Sequence, residues 1–150
     1  MGGNNNNFTN NNRGKSNTEK KRTPIDLNKE NYVEQAEKVI QSLIDENGRN
    51  KILTTSKIRK LLSMVSDMYT KAKRLKTNTL DSEWLTKIQY FKMHTIYEAG
   101  RESTVKKFVE EAQIIEQIDS IKADKDRLIL FCHYMEALVA YRKFLGGRDE

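Results

Sequence analysis

Five stretches of the chain repeat apolar residues at the spacing of an α-helix. In residues 30–46, 56–76, 81–99, 103–122 and 125–144, apolar side chains recur three and four positions apart. This spacing gathers them on one helix face and leaves the polar positions to solvent. The period-two alternation of a β-strand is absent from the sequence. The pattern predicts an all-α fold, a compact antiparallel bundle of about five helices, because short connections place consecutive helices side by side.

The apolar faces also predict which side of each helix is buried. Gly48 follows the first stretch and suits the left-handed position that often ends a helix. The face expected in the core includes Val33 in the first helix and Leu85 in the third, with Met93 and Ile96 close to it.

The N-terminal part of the chain has a different composition. It begins MGGNNNNFTNNNRGKSN, and Phe8 is its only large apolar residue. Such a segment buries too little apolar surface to offset the entropy of ordering it. We therefore expect residues 1–28 to form a disordered, low-complexity basic tail and residues 29–150 to form the helical-bundle domain. The run KKR at 20–22 could contact RNA, and a solubilising role fits the composition equally well.

Cysteine content and hydropathy indicate the compartment. Cys132 is the single cysteine, so the chain has no internal disulfide, which suits a reducing cytoplasm. The sequence contains neither an apolar run long enough to span a membrane nor a secretory signal. We expect a cytoplasmic protein without a membrane partner.

The residues that usually carry enzyme chemistry are scattered. His94 and His133 have no second ligand at metal-binding spacing, and zinc sites need three or four converging ligands. Cys132 lies on an apolar stripe and is most simply a buried small side chain. The chain has no glycine-rich phosphate loop. These observations predict a protein that is not an enzyme, with no metal and no cofactor. An enzyme with an unrecognised site is the less favoured alternative.

Positive charge is concentrated in one predicted helix. The net charge is +6, and residues 51–76 hold eight basic side chains against Asp67 alone. At 100° per residue one flank of the second helix gathers four of them, and Arg59 and Lys73 lie on the other side. The four are Lys57, Lys60, Lys71 and Arg74. This stripe would extend over roughly 25 Å at 1.5 Å per residue. It indicates a polyanion partner whose phosphates are contacted without reading bases.

Tyrosines offer a second mode of contact, because aromatic rings stack on unpaired bases. Five of them lie in the predicted helices: Tyr69, Tyr90, Tyr97, Tyr134 and Tyr141. Tyr69 falls in the apolar stripe, and packing is the favoured explanation for most of the set.

Four segments resemble one known family. They are NYVEQAE at 31–37, LTTSKIRKLLSMV at 53–65, YEAGR at 97–101 and YMEALVAYRKFLGG at 134–147. The last three resemble, in order and separation, the small subunit of the type III-A CRISPR (Csm) RNA-guided effector complex. The resemblance covers about residues 30–150, and the asparagine-rich tail lies outside it.

The resemblance implies a function that the helical periodicity alone does not predict. Members of this family are five-helix bundles that stack in several copies beside a filament of backbone subunits. They contact the backbone of the guide RNA–target RNA duplex and do not cut it. The partners implied are CRISPR guide RNA, target RNA, the large polymerase-like subunit, the backbone subunits and other copies of the chain. Cleavage would belong to the other subunits.

The candidate RNA-binding residues come from two sources. Those that match the family's motifs are Lys57, Arg59, Lys60, Arg101, Arg142 and Lys143. Helical geometry adds Lys71, Lys73 and Arg74. Which of these contact RNA and which contact neighbouring subunits stays open, and Arg101 could equally cap helix carbonyls. The alternative from a different class is a helical protein–protein adaptor that does not touch nucleic acid.

Overall fold

Helices form nearly all the secondary structure of the part of the chain that the computed structural model describes, residues 21–146 and Gly2. Over this part the helices are α1 (Tyr32–Asn47), α2 (Arg59–Ala72), α3 (Ser82–Arg101), α4 (Ser103–Glu111), α5 (Ile114–Ile121) and α6 (Lys125–Phe144). Short 3-10 turns lie at Arg49–Lys51 and Thr55–Ile58. The predicted all-α fold is confirmed. None of the described helices is long and apolar enough to cross a membrane.

Helix α6 is the centre of the bundle. It packs against α1, α2 and α5, while α3 packs against α2, α4 and α5. The rings of Phe91 on α3 and Phe131 on α6 meet edge to face with centroids 5.8 Å apart. Tyr134 is fully buried, and its hydroxyl donates to the Ala112 carbonyl at 2.9 Å. Cys132 is also buried, and desolvation raises the pKa of its thiol to about 12.

The predicted fourth helix, residues 103–122, is two helices. Gln113 adopts a left-handed conformation with φ of 55°, which separates α4 from α5. The prediction of one continuous helix is wrong here because the break has no glycine or proline to mark it. Its position depends on a tertiary contact: the buried Gln113 amide binds the backbone of the N-terminal segment.

The predicted second helix, residues 56–76, is shorter than expected at both ends. It starts with the 3-10 turn Thr55–Ile58, and its α-helical part ends at Ala72. Beyond Ala72 the backbone forms a tight turn, in which the Arg74 amide donates to the Lys71 carbonyl at 3.1 Å. The Leu75 carbonyl accepts from the Lys125 ammonium at 2.8 Å, so the helix end is satisfied by α6.

Residues 22–27 form an ordered strap across α4 and α5, here called the N-terminal strap. Gln117 Nε2 donates to the Ile25 carbonyl at 2.8 Å, and Arg127 Nη1 donates to the Leu27 carbonyl at 2.9 Å. Leu27 is buried in the core. Residues 22–27 were predicted to belong to the tail that ends at residue 28. The structure instead packs them on the bundle, because Leu27 and the backbone contacts anchor them. The rest of the predicted tail, residues 1–20 apart from Gly2, lies outside the described residues.

Four apolar residues expected in or near the core are on the surface instead. They are Val33 on α1 and Leu85, Met93 and Ile96 on α3. The prediction for Leu85 is wrong because the buried face of α3 is narrower than expected and is centred on Phe91 and Thr95. Val33 lies off the buried face of α1, which is formed by Ala36, Val39, Ile40, Leu43 and Ile44.

Candidate nucleic-acid interface

The cationic flank of α2 is solvent exposed. Here the cationic flank means Lys57, Lys60, Lys71 and Arg74, all of which the structure places at the surface. Lys57 lies in the 3-10 turn before the helix, and Arg74 lies in the turn after it. Lys71 pairs with Asp67 four residues earlier at 3.0 Å, and both side chains are about half exposed. Such exposed pairs contribute about 0.5 kcal/mol, so Lys71 can exchange this carboxylate for a phosphate.

The other two cations of the predicted second helix, Arg59 and Lys73, are exposed and lie near a groove between α2 and α6. Arg59 shares a helical face with Leu62 and Ser66, and the last two line a groove between α2 and α6. The Lys73 ammonium lies 5.1 Å from the centroid of the Tyr69 ring at the other end of this groove. The contact with Tyr69 places Lys73 beside this groove, and for Arg59 the separation from the cationic flank stays a prediction from helical angles.

Arg101 comes close to the start of the cationic flank. It is the last residue of α3, its side chain is largely exposed, and it lies 3.7 Å from the buried Glu98 carboxylate. The next residue, Glu102, accepts from the Lys57 ammonium at 3.1 Å. The sequence could not indicate this proximity, because Lys57 and Arg101 lie on different helices.

Arg142 departs from its predicted surface role. Only 4% of the residue is exposed, and its Nε donates to the Leu53 carbonyl at 2.7 Å. Its Nη1 is buried without a hydrogen-bond partner in the described part of the chain, and desolvation lowers the pKa of the guanidinium. The last turn of α6 faces the buried segment that contains Leu53, so Arg142 holds the loop before Lys57. Its neighbour Lys143 points elsewhere and is exposed.

Two tyrosines on α3 are exposed to solvent, although packing was the favoured explanation for most of the tyrosines. Tyr90 and Tyr97 are 54% and 60% exposed, whereas Tyr134 is fully buried. The packing explanation is therefore wrong for this pair. A sequence signal exists: Lys87, Tyr90, His94, Tyr97 and Arg101 recur at steps of three and four residues, which places them on one side of a helix.

The chemistry available to this surface is electrostatic. Exposed lysine and arginine side chains attract phosphates and release counterions, which gives binding that weakens with salt. Among residues 21–146, no three histidine, cysteine or acidic side chains converge in a way that could hold a metal ion.

Comparison with known proteins identifies the class. A family model described as Csm2 Type III-A matches residues 26–148. A CRISPR system Cms protein Csm2 from Streptococcus thermophilus is 47% identical over 123 residues, covering 82% of this chain and 98% of the relative. The proteins of that name from Mycobacterium tuberculosis and Enterococcus italicus are 37% and 36% identical, covering 81% and 83% of this chain and 96% and 92% of theirs.

These matches define the protein as a helical subunit of a type III-A CRISPR system. The chain belongs to the Csm2 family.

Proposed function

We propose that this chain is the non-catalytic small subunit of a cytoplasmic type III-A CRISPR effector in antiviral defence, and that it binds the backbone of the guide RNA–target RNA duplex. The observation that carries the proposal is the exposed cationic flank, which has Asp67 as its one acidic neighbour on α2. Base pairing would supply the sequence specificity, and the protein would recognise phosphates. The large and backbone subunits of the effector are the proposed partners.

Neutralising the cationic flank should weaken RNA binding for every sequence. The variant replaces Lys57, Lys60, Lys71 and Arg74 with glutamine. Each lost phosphate contact should reduce the slope of log affinity against log salt by about 0.7–0.9, so four should reduce it by about 3. We expect affinity for a guide–target RNA duplex to fall about 100-fold at 0.1 M salt. Fluorescence anisotropy at several salt concentrations measures both quantities.

The matched control removes the same charge elsewhere. It replaces four exposed lysines on or near α1 and α4 with glutamine: Lys29, Lys38, Lys106 and Lys107. This control should lose much less affinity and keep most of the salt slope. Equal losses of RNA affinity in the two variants would mean that net charge, and not the position of the cationic flank, causes the effect. Unchanged RNA affinity together with loss of neighbouring subunits would favour the adaptor function.

We further propose that copies of the chain stack on one another through α3. Leu85, Met93 and Ile96 form an exposed strip on this helix, here called the aliphatic strip. At 100° per residue they fall within about 80° of one another, with Gln89 between them. An uncovered apolar strip of this kind is typical of a protein contact. A second copy is the proposed occupant, because stacked copies are what the family resemblance implies.

Placing charge in the aliphatic strip should reduce the number of copies in the effector. The variant carries Met93→Lys and Ile96→Lys, and both side chains are more than half exposed, so folding should be unaffected. Native mass spectrometry of reconstituted complexes should show fewer copies per complex. The control carries Gln41→Lys and Ala140→Lys, also at exposed positions. A full set of copies in the α3 variant would contradict the proposed contact.

A further inference from the structure

One side of α3 carries three aromatic rings between two cations. Its members are Lys87, Tyr90, His94, Tyr97 and Arg101, here called the aromatic stripe. They lie at steps of three and four residues, so successive side chains are neighbours on the helix surface. From Lys87 to Arg101 the stripe extends about 21 Å at 1.5 Å per residue. A cation lies at each end and three rings lie between them.

The two tyrosine rings are available to a ligand. Tyr90 is 54% exposed and Tyr97 is 60% exposed. The rings of Tyr90 and His94 meet edge to face with their centroids 4.5 Å apart. This contact holds the Tyr90 ring close to the helix. At the two ends, the Lys87 ammonium lies 5.0 Å from the Trp84 ring centroid, and the Arg101 side chain is 59% exposed. Exposed aromatic rings between cations are a typical platform for unpaired nucleic acid.

The aromatic stripe continues the cationic flank of α2. Lys92 on the opposite side of α3 pairs with Asp119 of α5 at 2.7 Å, so that side faces α5. Helix α3 also packs against α2 and α4, and the stripe lies away from the side that faces α5. At the end of the stripe, Lys57 bonds to Glu102, the residue after Arg101. The two cationic surfaces therefore meet at this corner.

We propose that the aromatic stripe binds unpaired RNA bases, with Tyr90 and Tyr97 stacking on bases and Lys87 and Arg101 contacting the adjacent phosphates. The inference rests on the proposed RNA-binding function and adds a ligand class, single-stranded RNA, to it. The two tyrosines lie about 10.5 Å apart along the helix. Bases stack about 3.4 Å apart along a strand, so the rings contact bases about three nucleotides apart.

His94 has a place in this arrangement. Both of its ring nitrogens are buried without a hydrogen-bond partner in the described part of the chain. Buried polar groups in native structures usually have a partner. The Tyr90 ring lies against this imidazole, so a ribose hydroxyl or a phosphate oxygen of RNA stacked on Tyr90 would supply the partner that these nitrogens lack.

The test separates stacking from apolar contact. The full chain is compared with a Tyr90→Leu, Tyr97→Leu variant, which keeps apolar bulk but removes both aromatic rings. A Tyr90→Phe, Tyr97→Phe variant keeps the rings and is the matched control. The probes are a single-stranded RNA that contains 2-aminopurine and the fully paired duplex of the same sequence. Anisotropy gives the affinities, and 2-aminopurine quenching reports stacking.

We expect the leucine variant to bind the single strand about 10- to 100-fold more weakly, because each stacked base contributes substantially. Its affinity for the duplex should stay within about twofold, since paired bases do not offer their faces. The phenylalanine variant should quench 2-aminopurine as the natural chain does.

Three results would overturn the proposal. Unchanged single-strand affinity in the leucine variant would assign the stripe to a protein contact. Equal weakening for single strand and duplex would mean that the substitutions act on the fold. If the natural chain binds neither RNA, the RNA-binding function fails as well. Unchanged single-strand affinity in the leucine variant, together with duplex binding that depends on the cationic flank, would leave that function intact and remove the stripe alone.

Discussion

Removal of residues 1–28 should lower the free energy of unfolding by about 3–5 kcal/mol, whereas removal of residues 1–20 should leave it nearly unchanged. The longer truncation deletes the N-terminal strap, and Leu27 alone should contribute about 2 kcal/mol through its burial. It also leaves the Gln113 and Gln117 amides without the strap carbonyls that they bind at 2.8 Å. Hydrogen bonds of this kind contribute about 1 kcal/mol each.

Urea unfolding followed by circular dichroism measures both truncations. The chain that begins at Lys21 is the control, because it keeps every described contact of the strap, including the bond from Arg22 to Glu111 at 2.8 Å. Equal stability of the two truncated chains would contradict the structural role of the strap. A Leu27→Ala substitution in the full chain should reproduce about 2–3 kcal/mol of the loss.

A double-mutant cycle at Gln113 sharpens this test. Glycine adopts a left-handed conformation without the strain of a side chain, which costs about 1 kcal/mol for other residues. In the chain without the strap, Gln113→Gly should therefore stabilise the fold. In the full chain the same substitution removes the two hydrogen bonds to the strap and should destabilise it. An equal change in free energy of unfolding in both backgrounds would mean that the strap and Gln113 are not coupled.

Arg142→Ala should lower the free energy of unfolding by about 3 kcal/mol while leaving RNA affinity of the folded protein unchanged. The substitution leaves the buried Leu53 carbonyl without its donor, which costs about 1–3 kcal/mol. It also removes the side-chain stem that packs near Phe108 and Leu138, where a space would open. Thermal unfolding and RNA anisotropy, measured below the onset of unfolding, separate the two effects.

Two further variants control for packing and for charge. Arg142→Met keeps the apolar stem and removes the buried charge, so it should be less harmful than alanine. Lys143→Gln removes the adjacent exposed charge and should change stability by less than about 0.5 kcal/mol. A tenfold loss of RNA affinity in a fully folded Arg142→Met variant would contradict this prediction and would indicate that Arg142 contributes to RNA binding.

The periodic apolar pattern was sufficient for the fold class and for most helix positions. Residues on one helix face are set by a local repeat of about 3.6 residues, so the sequence reveals them without knowledge of their neighbours. The charge of the cationic flank was equally readable, because a run of lysines and arginines with one acidic neighbour is a local feature. The family resemblance extended this to the type III-A CRISPR class, which the comparisons support.

Tertiary contacts decided the features that the sequence misjudged. The break at Gln113 and the strap depend on each other across about 90 positions of the chain. Arg142 is buried because Leu53, which is also far away in sequence, offers its carbonyl at that point. Tyr90 and Tyr97 are exposed because the helices next to α3 cover only one side of it. Helical periodicity identifies a face, but whether that face is covered depends on which elements pack against it.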